Sequence, residues 1–208
     1  MSTWSALLLG FGLGLRHATD ADHVVVVSTL VQQSPGLKTA ARIAALWGLG
    51  HTTTFLCLGL PLIYFGLRVP EQLEQITEIL VALMLIGFGL WHLQARAPAS
   101  APPLSGAGSH HQVALRPLLV GLVHGLAGSA GIALIAGTTI PVRAWAVAYL
   151  VLYGVGTIAG MVLLTLVIAP PLAWAQRAPG WGRRFSLLAA LLNLGLGAAF
   201  LLLAVRRT

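Results

Sequence analysis

Apolar stretches at about 3–31, 43–66, 76–95, 114–138, 143–169 and 185–205 occupy most of the 208-residue chain. Each is long enough for a helix that crosses the hydrocarbon core of a bilayer, which takes about 20 residues. Only 8% of the residues are charged and the mean hydropathy is +0.88, where a soluble domain carries about 25% charged residues. The expected fold class is therefore an all-α integral membrane protein with about six transmembrane helices. The formal charge of +7 comes from basic residues placed singly between apolar runs, so they read as membrane flanks and not as a nucleic-acid surface. The single cysteine, Cys57, excludes an internal disulfide, a dithiol redox pair and a thiolate metal cage. The single lysine, Lys38, follows Leu37 where a phosphate-binding loop needs glycine, so the chain is not expected to use ATP by itself. No basic region opens the chain and the first stretch is charged in its middle, so a cleaved leader is not expected.

The segment 97–112, APASAPPLSGAGSHHQ, lacks periodicity and is rich in Pro, Ser, Ala and Gly. It divides the chain near its midpoint into a first three-helix unit at 1–96 and a second at 113–208. The units share a pattern. Gly14-Leu15-Arg16-His17 matches Gly121-Leu122-Val123-His124 at an offset of 107, and Leu46-Trp47-Gly48-Leu49-Gly50 matches Leu152-Tyr153-Gly154-Val155-Gly156 at 106. Gly87-Phe88-Gly89 matches Gly195-Leu196-Gly197 at 108. Three spans per unit make the second enter from the opposite side, so two inverted three-helix repeats are expected, with a substrate site near the midplane. Gly121 with Gly125, and Gly156 with Gly160, have the spacing that lets membrane helices pack closely. Lys38, Arg42, Arg96, Arg116, Arg177, Arg183 and Arg184 fall on one side, against Arg68, Arg143, Arg206 and Arg207 on the other, which puts the first set in the cytoplasm and both termini outside.

The first stretch contains Arg16-His17-Ala18-Thr19-Asp20-Ala21-Asp22-His23, five ionisable groups in eight residues. Charges at membrane depth are costly and normally functional or paired. On a regular helix His17, Asp20 and His23 share a face and Asp22 points away, and two imidazoles with a carboxylate suit nickel, cobalt, copper or zinc. A regular helix would hold the two histidines about 9 Å apart along its axis, too far for one ion bonded at about 2 Å. The helix must therefore unwind near Ala18–Ala21, or other helices must complete the site. Arg16 can pair with Asp20 at i, i+4 and offset one carboxylate.

Elsewhere, His51 opens Gly50-His51-Thr52-Thr53-Thr54 in the second stretch and is expected to be a ligand or gate. Thr52, Thr53, His124 and Ser129 are expected along the pathway or around the ligands, with Arg16. His92, His110 and His111 are expected to be solvated, at a helix end and in the linker, and Asn193 to bond another helix.

The run Arg16-His17-Ala18-Thr19-Asp20-Ala21-Asp22-His23-Val24 resembles the signature of the nickel/cobalt transporter family, in which histidine, four residues, aspartate and histidine mark the metal-selective helix. Gly50-His51-Thr52-Thr53 is similar to that family's Gly-His-Ser/Thr signature on the next helix. The resemblance implies transport of Ni2+ or Co2+ as substrate, with no resident cofactor, and functional roles for His17, Asp22, His23 and His51. The chain is shorter than members with eight spans and lacks their acidic segment in the second half, so it looks like a short six-span branch of the superfamily that also includes urease-associated and efflux members. The expectation is a secondary transporter for uptake in a prokaryotic cytoplasmic membrane, with metal ion and lipid as partners and room for a homo-oligomer. Metal efflux, or a membrane subunit of a nickel-delivery or urease-maturation assembly, is the alternative. An intramembrane metalloenzyme is disfavoured, because Glu71, Glu74 and Glu78 lie at or near a loop and no HExxH motif is present.

Overall fold

The computed structural model describes residues 3–31, 34, 36–67, 71–94, 110–125, 139–177 and 180–206. Among these residues the protein is entirely helical: α1 (Thr3–His17), α2 (Ala21–Val31), α3 (Leu37–Phe65), α4 (Glu71–Gln94), α5 (His110–His124), α6 (Arg143–Arg177) and α7 (Trp181–Arg206). Four helical segments, Leu37–Phe65, Glu74–Gln94, Arg143–Ala175 and Trp181–Arg206, are each long and apolar enough to span a membrane. Ala21–Val31 and Leu115–His124 are shorter apolar helices. Large apolar side chains such as Leu8, Phe65, Leu163, Val167 and Leu202 face outward, as lipid contact demands of an integral membrane protein.

Helix boundaries depart from the hydropathy reading: α4, α5 and α7 begin at Glu71, His110 and Trp181 where 76, 114 and 185 were expected, residues 126–138 of the fourth stretch lie outside the described residues, and three further departures have local causes. The first stretch is not one helix: α1 stops at His17 and α2 starts at Ala21. α3 begins at Leu37, six residues before the apolar run, because Leu37-Lys38-Thr39-Ala40-Ala41-Arg42 is rich in helix formers and carries the helix past the apolar segment. α6 runs through Pro170 and Pro171 to Arg177. Each proline removes a helical donor, but two adjacent ones affect only neighbouring bonds, and helices embedded among others tolerate this. Consequently Lys38, Arg42 and Arg177 lie on helix ends, and Arg183 and Arg184 in the first turn of α7, where connecting loops were expected. The α3 terminus is set by Gly66, whose φ of 63° is the left-handed conformation that closes a helix.

Packing is dominated by α1 on α6, α3 on α6, α3 on α5, and α4 on α7. Gly14 lies against the Tyr153 carbonyl and the Thr157 amide of α6, so a side chain there would collide with backbone. Gly121 lies in the same way against the Trp47 carbonyl and His51 amide of α3. Under the sequence offsets these are counterpart contacts: 14 with 121, 47 with 153, and 51 with 157. The third helices of the two halves meet each other, Gly89 against Ala190 and Leu194, and Gly197 against Ala82 and Ile86, again exchanged by the offset of 108. Close backbone approach at small residues is how membrane helices gain contact without a hydrophobic driving force. Two buried clusters fill the interior. One joins Val26, Trp47, Leu85 and Met161, and the other Leu7, Phe55, Tyr149 and Tyr153. The linker at 97–109 lies outside the described residues; the expected linker end, His110–Gln112, is instead the first turn of α5.

Candidate metal centre

The break between α1 and α2 is where the polar residues collect. Thr19 and Asp20 amides donate to the carbonyls of Arg16 and His17 at 2.9 and 3.0 Å, tightening the chain into a turn, and Val24 donates to Asp20 to begin the next helix. Thr19 Oγ1 also donates to the Arg16 carbonyl at 2.6 Å, a hydroxyl competing with helix continuation. The turn removes the separation that a regular helix would impose. The rings of His17 and His23 lie with centroids 4.4 Å apart, the first from the end of α1 and the second from α2.

Around His23 the chain assembles a buried set from four helices. His51 of α3 is 5.1 Å from both His17 and His23, and His124 at the end of α5 is 4.5 Å from His23, centroid to centroid. His17 Nε2 and His51 Nε2 share a hydrogen bond of 3.1 Å. Asp22 accepts from two rings, His23 Nδ1 at 3.2 Å and His124 Nε2 at 3.0 Å. All these residues are buried, and the Asp22 side chain is 6% exposed. The Nε2 of His23 and the Nδ1 of both His51 and His124 have no hydrogen-bond partner among the described residues. A carboxylate that holds one ring nitrogen of a histidine fixes the tautomer and leaves the other nitrogen as a lone-pair donor. Buried polar atoms are normally satisfied, so unpartnered nitrogens on three neighbouring rings suit an environment that binds a divalent cation. Ligand atoms of His17, His23 and His51 lie within 4.8 Å of one another, and so do those of Asp22, His23 and His124.

The other predicted residues separate into groups. Asp20 accepts from His17 Nδ1 at 3.0 Å and its side chain is 32% exposed, so it borders the buried set from the outside. Arg16 is exposed at the end of α1 and, among the described residues, makes no ion pair with Asp20, whose partner is His17. Thr52 is buried and donates to the Gly154 carbonyl at 3.2 Å, bracing α3 on α6 beside the set. Thr53 does not join the site: it is exposed and donates to Leu49 of its own helix, because two residues beyond His51 a helix has turned by about 200°. Ser129 lies outside the described residues. His92 is buried, with Nδ1 donating to the Phe88 carbonyl at 3.2 Å, and is not the solvated helix-end histidine expected. Asn193 donates to Thr29 Oγ1 at 3.0 Å and so joins α7 to α2, as expected.

Two neighbours of the set were not singled out from the sequence. Trp47 is fully buried, 5.3 Å from His23 and 5.6 Å from His124, and Tyr153 is 5.7 Å from His17. The signal was present in the repeat, which aligns Trp47 with Tyr153.

Comparison with known proteins bears on what this arrangement serves. A family model described as High-affinity nickel-transport protein matches residues 3–98, the half that supplies His17, Asp22, His23 and His51. "Urease accessory protein UreH" of Bacillus sp. (strain TB-90) is 33% identical over 186 residues, covering 83% of this chain and 80% of that protein. The chain belongs to this nickel-transport family. "High-affinity nickel transport protein" of Cupriavidus necator is 30% identical to this family member over 73 residues, 35% of the present chain and 21% of that protein. No solved structure matches.

Proposed function

We propose that the protein carries Ni2+ across the membrane as its substrate, through the buried centre formed by His17, Asp22, His23, His51 and His124. The observation that carries this reading is the interrupted helix: α1 and α2 break within an otherwise apolar segment, and the break turns two histidines toward a third and a fourth from α3 and α5. Irregular backbone at membrane depth is tolerated where it is enclosed by protein and serves a substrate site. The donor set of imidazoles and one buried carboxylate suits Ni2+ and Co2+, and Co2+ is a second substrate of the same chemistry. Because imidazole and carboxylate ligate in their deprotonated forms, loading the ion releases protons and acidification weakens binding.

Transport follows from rocking of two inverted three-helix repeats, 1–96 and 113–208, joined by 97–112. Supporting this arrangement, Gly14 and Gly121 pack on counterpart backbone segments of α6 and α3, and Gly89 and Gly197 pack across each other's helices. The distribution of arginine and lysine favours both termini outside, in a bacterial cytoplasmic membrane. A second reading, a membrane subunit that delivers nickel within a urease accessory assembly, is favoured by the likeness to UreH over most of both chains. The test is 63Ni2+ flux into liposomes containing the purified protein alone. Saturable flux well above protein-free liposomes is expected. Flux that appears only when accessory proteins are added would favour the second reading, and its absence under every condition would reject transport.

A further inference from the structure

The buried polar set divides into two overlapping groups of ligands. His17, His23 and His51 form one group of three ligand atoms within 4.8 Å of one another, and Asp22, His23 and His124 form another. His23 alone belongs to both. Its Nε2, without a hydrogen-bond partner, is open to an ion in the first group, whereas its Nδ1, 3.2 Å from Asp22, serves the second only when an ion displaces the protons by which His23 and His124 bond to Asp22. We propose that His23 is a shared ligand that passes a single divalent ion between two overlapping positions, His17–His23–His51 and Asp22–His23–His124. The proposal rests on the transport reading above and adds to it a path for the ion inside the protein.

Charge limits the occupancy to one. Between them the two groups contain a single carboxylate, Asp22, and neutral imidazoles supply no compensating charge. Two dications separated by the width of an imidazole ring, in a buried and poorly screened site, would repel strongly. An ion in one position therefore excludes a second ion from the other.

The helices carrying the two groups explain why one position would be favoured over the other at different stages. His17 ends α1, which packs on α6; His124 ends α5, which packs on α3. The two histidines are counterparts at the offset of 107 and lie on either side of His23, whose ring is 4.4 Å from one and 4.5 Å from the other. A small shift of α1 relative to α3 parts His17 from His51 and opens the first group, while Asp22 and His23 stay adjacent on α2. The opposite shift draws His124 from Asp22 and opens the second. Asp20 borders the first group, bonded to His17 and partly exposed, so that group is the one nearer to water in the present conformation.

The proposal predicts how many imidazoles bind the metal. Ni2+ bound to the purified wild-type protein should be one ion per chain, and X-ray absorption at the nickel edge should show two to three imidazoles. Four imidazoles on that ion would mean a single joint site, and two ions per chain would mean two independent sites; either overturns the relay while leaving transport intact. In the variants, His124→Ala should keep one Ni2+ with three imidazoles, and His51→Ala one Ni2+ with two imidazoles and a carboxylate. At least one of the two should keep an affinity within about twofold of the wild type, because the two positions share the wild-type binding between them, and both should lose most flux, because the ion has nowhere to be passed. His23→Ala should lose binding outright. Normal flux in His51→Ala or His124→Ala would also overturn the relay, whereas absent binding and flux in the wild type would reject the transport reading itself. The wild-type spectrum needs no variant, so a misfolded mutant does not leave the proposal untested.

Discussion

In the first half of the molecule, α1 and α2 meet at a turn bearing His17, Asp20, Asp22 and His23; the positions that match them in the second half by the offset of 107 are His124, Ala127, Ser129 and Ala130. His51 likewise corresponds to Thr157 at the offset of 106. The packing residues tell the opposite story, since Gly14 and Gly121, and Gly89 and Gly197, meet counterpart surfaces. The halves therefore share the features that let helices approach and differ in those that do chemistry. Close packing constrains both halves because each glycine faces another helix's backbone. The proposed metal centre needs one full set of ligands, and His124 is the one histidine of residues 113–208.

The sharpest way to break this asymmetry is to remove ligands from one half and their counterparts from the other. His23→Ala should lower Ni2+ binding and flux by about 100-fold or more, since it removes the ring at the centre of the set. Thr157→Ala, at the position matching His51, should change flux far less than His51→Ala, because among the described residues the Thr157 hydroxyl bonds within its own helix, to the Tyr153 carbonyl. Equal losses in the two, measured as 63Ni2+ flux in liposomes, would show that the halves share the chemistry after all.

Next in size is the contrast between the two acids. Asp22→Asn should weaken Ni2+ affinity by about 10- to 100-fold, because Asp22 is buried and holds two histidines, and Asp20→Asn by distinctly less, because it is partly exposed and holds one. Calorimetry on the two variants decides this, and a larger loss in Asp20→Asn would move the site outward.

The shared packing gives a smaller, structural test. Gly14→Ala and Gly121→Ala should each destabilise the protein by about 1–3 kcal/mol, by similar amounts, since an added methyl would strike backbone at both. Gly87→Ala and Gly195→Ala, another counterpart pair, have open space beside them and should be neutral or stabilising by up to about 1 kcal/mol. Thermal unfolding in detergent reads all four, and unequal effects within either pair would break the structural equivalence. The smallest effect expected is in His110→Ser/His111→Ser, at the start of α5, which should leave maximal Ni2+ flux nearly unchanged.

Much of the fold is legible in the sequence. The length and spacing of the apolar stretches imposed an all-helical membrane protein, and the separation of His17 and His23 by about 9 Å on a regular helix left either an unwound helix or ligands from other helices; the structure has both, a break at residues 18–20 and histidines from α3 and α5 beside His23. Helical face puts Asp20, and not Asp22, beside the two histidines, and that calculation presumes a continuous helix, which the break removes. What stayed hidden depended on contacts over about 100 residues of sequence. His124 has no acid near it in the chain, and its partner Asp22 is 102 residues away. His92 looked like a solvated helix end because its burial comes from helices packed around it, which periodicity does not reveal. Thr53 was misjudged for a local reason that a helical wheel exposes: residues 50, 51 and 54 face α5, where Thr54 donates to the Leu122 carbonyl, and 53 does not.

The most direct test of the central claim is to locate the metal. Crystals or vitrified particles of the wild-type protein loaded with Ni2+, with anomalous scattering at the nickel edge or density compared with and without metal, should show one ion bonded at about 2 Å to His23 and to neighbours among His17, Asp22, His51 and His124. An ion held by His92 or by His110 and His111, with the buried histidines empty, would contradict the account.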